Sequence, residues 1–307
     1  MREPPPNVSE DDVLAAVREH WTDEVDGVEH LPVGFGAHHW AAGVRGRRTH
    51  FVTLDALDGK HDAASLEATY AVASGLMFPL DFVVAPVPSH GGRLTVAFAD
   101  GALSLTPWVS GGNPERLDLE LVSRMLRRLH AVPAPSGLRD WVTITPPSLP
   151  DDLTELVRRP WDEGPYGERA RSAVRGRLAA IAEWSATYHA LDDLARRKPW
   201  VLTHGEPGEH NLMVTPKLGG EKTLLVDWET ALRAPAERDW RTLVERGLPP
   251  AELDAAMLEL FDVEWRLDEI SQYATWFSSP HTGSASDKVA MGGLLHELVR
   301  APSQPGR

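Results

Sequence analysis

Short apolar runs punctuated by turn residues fill the first third of the chain, and beyond them the apolar spacing lengthens to that of helices. The runs Glu29 to Val33, His38 to Val44, His50 to Leu54, Phe82 to Val84, Leu94 to Phe98 and Leu103 to Trp108 read as strands. A first helix is expected near Asp11 to His20, and Ser65 to Leu76 is the one helix interrupting the strands. Hairpin-connected strands with one inserted helix predict an antiparallel sheet domain. The run Ser110-Gly111-Gly112-Asn113-Pro114 reads as a hinge. After it, Leu121, Val122, Met125, Leu126 and Leu129 mark one face of an amphipathic helix, with Arg124, Arg127 and Arg128 on the solvent side. Further helices are expected over Glu168 to Arg197, Pro250 to Phe261 and Trp265 to Phe277. The predicted class is α+β: residues 1–109 form a small antiparallel-sheet part and 110–307 a larger, mainly helical part. Residues 1–10 and Arg300 to Arg307 read as frayed ends with little to bury.

Composition narrows the possible functions. An apolar share of 42% over 307 residues supports a real core. The absence of cysteine removes disulfides, thiolate metal sites and cysteine nucleophiles. No apolar run approaches the roughly 18 residues of a membrane span, and the start Met1-Arg2-Glu3-Pro4 lacks the order of a signal peptide, so no membrane partner and a cytoplasmic location are expected. A formal net charge of −14 argues against a nucleic-acid partner and is compatible with a cationic small molecule, although acidity alone also keeps a protein dispersed.

Chemistry concentrates in Val201 to Val214, which contains Thr203-His204-Gly205-Glu206-Pro207-Gly208-Glu209-His210-Asn211, and in Leu224-Leu225-Val226-Asp227-Trp228-Glu229. Two strand-type runs each deliver acidic or amide groups to a loop. Glu206 and Asn211 stand five residues apart, and Asp227 follows the next apolar run. Phosphoryl transfer from a nucleotide needs one group to orient a hydroxyl nucleophile and oxygen ligands to hold Mg²⁺ on the phosphates. Glutamate is one methylene longer than aspartate, about 1.5 Å. Pro207 fixes its own φ and biases Glu206 towards an extended backbone, one way to accommodate the extra length. A competing zinc reading of His204, Glu206 and His210 fails, because deaminase sites require cysteines and the His-Glu-x-x-His spacing is absent.

This order resembles the His-Gly-Asp-x-x-x-x-Asn signature of the aminoglycoside phosphotransferase family, with Glu206 where Asp is usual. The resemblance extends along most of the chain. Gly34-Phe35-Gly36 is similar to the glycine-rich turn over the nucleotide, and Met125 to His130 to the helix ending in Leu-His. Trp265 to Ile270, Tyr273, Trp276 and Pro280 to Gly283 are similar to the end of the spectinomycin phosphotransferase-like branch. The resemblance implies a bilobal protein-kinase-like fold and transfer of a γ-phosphate from ATP or GTP, with Mg²⁺, to a hydroxyl of an aminocyclitol-like or other natural product. Antibiotic inactivation is the corresponding expectation. Glu206 is implied as the catalytic base, with His204 bracing its loop, Asn211 and Asp227 as metal ligands, and Asp239 as an anchor of the loop. Gly34, Phe35, Gly36, His38, Thr53 and Trp108 form the expected nucleotide-binding set. Asp268, Glu269, Tyr273 and Trp276 share a broad helical face and form the expected acceptor-binding set, although Tyr and Trp at such spacing are as often core. One departure stands out: kinase-like folds place a Lys on the strand His50 to Asp55, where Thr53 or Asp55 stands, which leaves Glu67 without its usual partner and Lys60 too far along to replace it. A metabolite kinase of the same fold and a catalytically silent ligand-binding relative therefore stay open as alternatives.

Overall fold

The structure, a computed structural model, describes residues 1–34, 36–57, 62–135, 137–217 and 220–300. Phe35, Lys60 and the tail 301–307 lie outside the described residues. The chain divides into two compact units, Met1–Asp140 with Val201–Arg233, and Trp141–Trp200 with Ala234–Arg307.

In the first unit, α1 (Glu10–His20) begins at a capping box, in which Ser9 and Asp12 satisfy each other's backbone amides. A five-stranded antiparallel sheet of β1 (Gly27–Leu31), β2 (His38–Val44), β3 (Arg47–Ala56), β4 (Thr95–Phe98) and β5 (Gly101–Pro107) follows, in the order β1-β2-β3-β5-β4. Val13, Val17 and Trp21 from α1 and its end pack on Trp40, Ala42, Val52, Leu54, Leu103 and Leu105 from the sheet. Burial of each such side chain contributes about 1.5–3 kcal/mol, enough for one helix to fix which face of the sheet is core. The period-2 pleat then sends Ala41, Phe51, Thr53 and Asp55 to the opposite face. The helix α2 (Ala63–Leu76) joins that side through Tyr70, whose hydroxyl donates to Asp55 at 2.9 Å.

Phe82 to Val84, expected as a sheet strand, instead lies beside a later hairpin. Leu225 N–H donates to Phe82 O at 2.7 Å and Val84 N–H to Leu225 O at 3.0 Å. That hairpin consists of β7 (Leu212–Lys217) and β8 (Gly220–Leu225), preceded by β6 (Val201–Thr203) and a single 3₁₀ turn at Glu209–Asn211. The segment expected as a hinge is fastened to β7: Gly112 and Val214 exchange both backbone hydrogen bonds, at 3.1 and 2.8 Å, and Thr215 Oγ1 donates to Ser110 O at 2.8 Å. The amphipathic helix expected around Leu121 to Leu129 is α3 (Leu119–His130), begun by the Asp118 side chain.

The second unit is helical. It contains α4 (Leu149–Leu156), α5 (Gly167–Arg175), α6 (Leu178–Ala195), α7 (Glu237–Glu245), α8 (Ala255–Phe277) and α9 (Ala285–Val299). The single helix expected over Glu168 to Arg197 is broken between α5 and α6 at Gly176-Arg177, where glycine is a poor helix former. Conversely, the two helices expected over Pro250 to Phe277 are one, because Asp254 caps the amides of Ala256 and Met257 and nothing interrupts the chain beyond. The core of this unit holds a buried carboxylate, Glu264, which accepts from Trp141 Nε1 at 2.8 Å and Tyr188 OH at 2.6 Å. Among the described residues, no helix is long and apolar enough to cross a membrane.

Candidate active site

The loop after β6 is built around His204, which is fully buried. Its Nδ1 accepts the Glu206 backbone N–H at 3.2 Å, so Nε2 carries the ring proton and donates it to Val226 O at 2.9 Å. Thr230 Oγ1 donates to His204 O at 2.8 Å, and the ring stands edge-on to Trp228 with centroids 4.7 Å apart. Both nitrogens are thus spent on backbone groups, one at Glu206 and one just before Asp227. The imidazole joins the two chemical segments as a brace. Gly205 takes φ +103°, a conformation open to glycine, which turns the chain so that Glu206 leaves the buried strand.

Asn211 is 5% exposed and its Nδ2 donates to Glu206 O at 3.0 Å. The amide oxygen Oδ1 takes no hydrogen bond from the described residues. Val226 N–H donates to Asn211 O at 3.0 Å, which sets Asp227 next to Asn211 in space despite their separation in sequence. Asp227 itself sits at φ +65°, the left-handed region that Asp tolerates better than most side chains and where functional residues are often held.

Electrostatically the site is rich in carboxylates. Surrounding protein, then Glu229 and Glu206, raise Asp227 to about 8, while His210 opposes them. Asp227 is exposed to solvent, which weakens both the burial contribution and the repulsion from its neighbours, so the direction of the shift is what the site supports. His210 Nε2 lies 3.5 Å from Glu206 Oε2, and this contact raises the imidazole above its ordinary pKa. Such a donor set suits a hard divalent cation, which prefers oxygen ligands and would relieve the crowding of negative charge. Among the described residues, no group of three or more His, Asp or Glu converges to hold a metal unaided. Mg²⁺ does not require one, since one or two protein oxygens suffice where phosphates complete the shell.

The sheet face opposite α1 carries part of the expected nucleotide set. In the β2–β3 register His39 pairs with Thr53, and His39 Nδ1 lies 3.2 Å from Thr53 Oγ1. His38 pairs with Leu54 and its ring packs near His30 and Trp40 on the α1 side. The pleat therefore places His38 on the opposite face from Thr53, and His39 shares the Thr53 face. Gly34 and Gly36 both have positive φ, and a Cβ on Gly34 would stand 2.7 Å from His39 Nε2, so the turn closes over that ring. Phe35 lies outside the described residues. Trp108 follows β5, 6.2 Å from the Phe51 ring and beneath the Arg48 guanidinium at 5.1 Å.

Asp55, one of the two residues on the strand where a lysine was expected, is 3% exposed, accepts from the Tyr70 hydroxyl and is hydrogen-bonded to Glu229. Burial raises its pKa, and the carboxyl–carboxylate contact requires one of the pair to hold a proton. Glu67 accepts from the Leu94 and Thr95 amides and pairs with Arg93 at 3.3 Å, so it organises the approach to β4. The strand-to-helix tie is made one turn later, by Asp55 and Tyr70.

The expected acceptor set belongs to the second unit, and its two rings are engaged in packing. Tyr273 is 7% exposed, with its hydroxyl against Gly293, which leaves its ring no open face for stacking. Trp276 Nε1 donates to Asp287 Oδ1 at 2.7 Å, linking α8 to the start of α9. Asp268 accepts from Gln272 at 2.8 Å, and Glu269 bonds the Tyr273 hydroxyl. α9 thus meets Tyr273 and Trp276 on this helical face, with Tyr273 buried and Trp276 half-buried. Asp239 is fully buried in the first turn of α7. Sequence reasoning passed over His210 as a partner of Glu206, although its i+4 spacing in a turn-rich loop was a visible signal. The contact of Asp55 with Glu229 had no local signal at all, being made between segments far apart in the chain.

Known proteins give this geometry its context. The family model described as the phosphotransferase enzyme family matches residues 32–270, most of the chain and all of the loop and hairpin described above. Protein StrN of Streptomyces griseus is 28% identical over 313 residues, covering 93% of this chain and 92% of its own. Among solved structures, spectinomycin phosphotransferase APH(9)-Ia in complex with ADP and spectinomycin superposes with a TM-score of 0.72 at 15% identity, covering 94% of each chain. A microcompartment-associated aminopropanol kinase gives a TM-score of 0.63 at 16% identity, covering 93% of this chain and 94% of its own. At such identities the superpositions establish a protein-kinase-like fold, and with the match over residues 32–270 the chain belongs to the phosphotransferase enzyme family.

Proposed function

We propose that the protein transfers the γ-phosphoryl group of ATP or GTP to a hydroxyl of a small polar acceptor, an aminocyclitol-like compound or another natural product, with Mg²⁺ as cofactor. The observation that carries this reading is the joining of Glu206, Asn211 and Asp227 by one set of backbone bonds through His204 and Val226. In the proposed reaction Glu206 holds the acceptor hydroxyl in line and takes its proton as the bond to phosphorus forms. Asn211, through Oδ1, and Asp227 are the residues that would hold the metal. Bound Mg²⁺ supplies charge neutralisation on the phosphoryl oxygens. Because Asp55 offers no cation, amides of the turn at Gly34 and Gly36 are the protein groups proposed to share the phosphate charge.

Calorimetric titration with ATP and with GTP, each with and without Mg²⁺, tests the donor side. A phosphate-transfer screen that begins with spectinomycin and aminopropanol, the compounds named for the two structural relatives, tests the acceptor side. Metal-dependent binding and transfer are expected, whereas no binding of either nucleotide would end the proposal. The buried Asp55 favours one other reading, a relative that binds nucleotide without turnover, and binding with no transfer to any acceptor would support it. In the same titration Asp227→Ala is expected to lower Mg²⁺-dependent nucleotide affinity on the order of a hundredfold. An unchanged affinity would remove Asp227 from the metal site.

A further inference from the structure

We propose that Asn113 is a positioning residue for Asn211, a role that rests on the reading of Asn211 as a metal ligand. Asn113 lies in the linker after β5, about a hundred residues before the loop it contacts, and its side-chain Nδ2 donates to His210 O at 2.9 Å and to Leu212 O at 2.8 Å. These two carbonyls flank Asn211, so a single amide group grips the backbone on both sides of it. Local support comes from the backbone bonds of one 3₁₀ turn, Asn211 N–H to Gly208 O at 3.1 Å and Leu212 N–H to Glu209 O, and Asn211's own side-chain amide is committed to Glu206 O.

The linker is itself seated firmly enough to serve as a support. Gly111 lies so close to β7 that a Cβ there would stand 2.1 Å from Val214 O, and Gly112 exchanges backbone bonds with Val214. The glycines let the linker approach, and Asn113 then reaches past Val214 to the loop. A metal ligand on a short turn gains from such support, because a small loss of orientation at a ligand is felt directly in metal affinity.

Asn113→Asp tests the role with little change in shape. It replaces the donor by a carboxylate that faces two carbonyl oxygens. Nucleotide affinity is measured by calorimetry in EDTA and in saturating Mg²⁺, and the ratio of the two is the metal-dependent increment. Asn113→Asp and Asn113→Ala are expected to reduce that increment about tenfold or more, with affinity in EDTA and thermal unfolding close to wild type. Thr215→Val, which removes a neighbouring bond of the same linker without touching the two carbonyls, is expected to keep the full increment. An unchanged increment in both Asn113 variants overturns the proposal, as does an equal loss in Thr215→Val. A wild-type protein with no increment overturns the metal-ligand reading of Asn211 itself and the proposal with it, so the two failures are told apart.

Discussion

Glu206→Gln is expected to lower kcat between a hundredfold and ten-thousandfold, about the range that general-base groups contribute, with nucleotide affinity nearly unchanged. The amide keeps the shape and a hydrogen-bonding oxygen but cannot accept the acceptor's proton. Glu206→Asp separates length from charge. The backbone on both sides of Glu206 is held, by Nδ1 of His204 at its N–H and by Asn211 at its carbonyl, so the chain has no freedom to advance a shorter side chain. Withdrawal of the carboxylate by about 1.5 Å also removes the 3.5 Å approach to His210. A displacement on that scale costs roughly a hundredfold in rate. Single-turnover measurements with the acceptor found by the transfer screen are the check, and a Glu206→Gln variant with full kcat would remove Glu206 from the chemistry.

Glu264→Gln is expected to stabilise the protein at pH 8 and to flatten its stability between about pH 4.5 and 7. Burial raises the Glu264 carboxyl from 4.5 to about 7, even though the Tyr188 and Trp141 bonds act the other way. The folded protein therefore holds a proton there that the unfolded chain releases. Stability from this group is fully present below the unfolded value and is lost as pH rises through the folded one. At roughly 1.4 kcal/mol for each pH unit of separation, the loss is about 3 kcal/mol. Glutamine retains an oxygen for Trp141 Nε1 and Tyr188 OH and carries no charge to desolvate. Urea unfolding of both proteins at pH 5 and pH 8 measures the difference. Parallel changes in the two would show that Glu264 does not titrate in this window.

The fold was more legible in the sequence than the site. Strand β2 was expected over His38 to Val44 and occupies those residues, because alternation about Trp40 and a glycine-rich turn before it are local signals. α3 was likewise visible through its 3.6-residue apolar period, and α1 in all but its start: residues 8–10, expected within a frayed end, instead supply Val8 to the core, the N-cap Ser9 and the first helical residue. Helix ends were less so. Gly176 broke one expected helix, while α8 ran through a stretch where a gap was expected, since packing on both sides of a buried helix outweighs local propensity.

The chemistry itself, the types and order of Glu206, Asn211 and Asp227, was determined by the sequence, as was the absence of a lysine from β3. Tertiary structure alone decided where each group points. The faces taken by His38 and His39 depended on which side of the sheet α1 covers, and the pairing of His39 with Thr53 follows from strand register. The tautomer of His204 depends on Val226, the partner of Asp55 on Tyr70 and Glu229, and the grip on Asn211 on Asn113. Each is a contact between segments distant in the chain. Local patterns record backbone preference and burial, whereas the direction of a buried polar side chain is set by whichever donor or acceptor the fold brings to meet it.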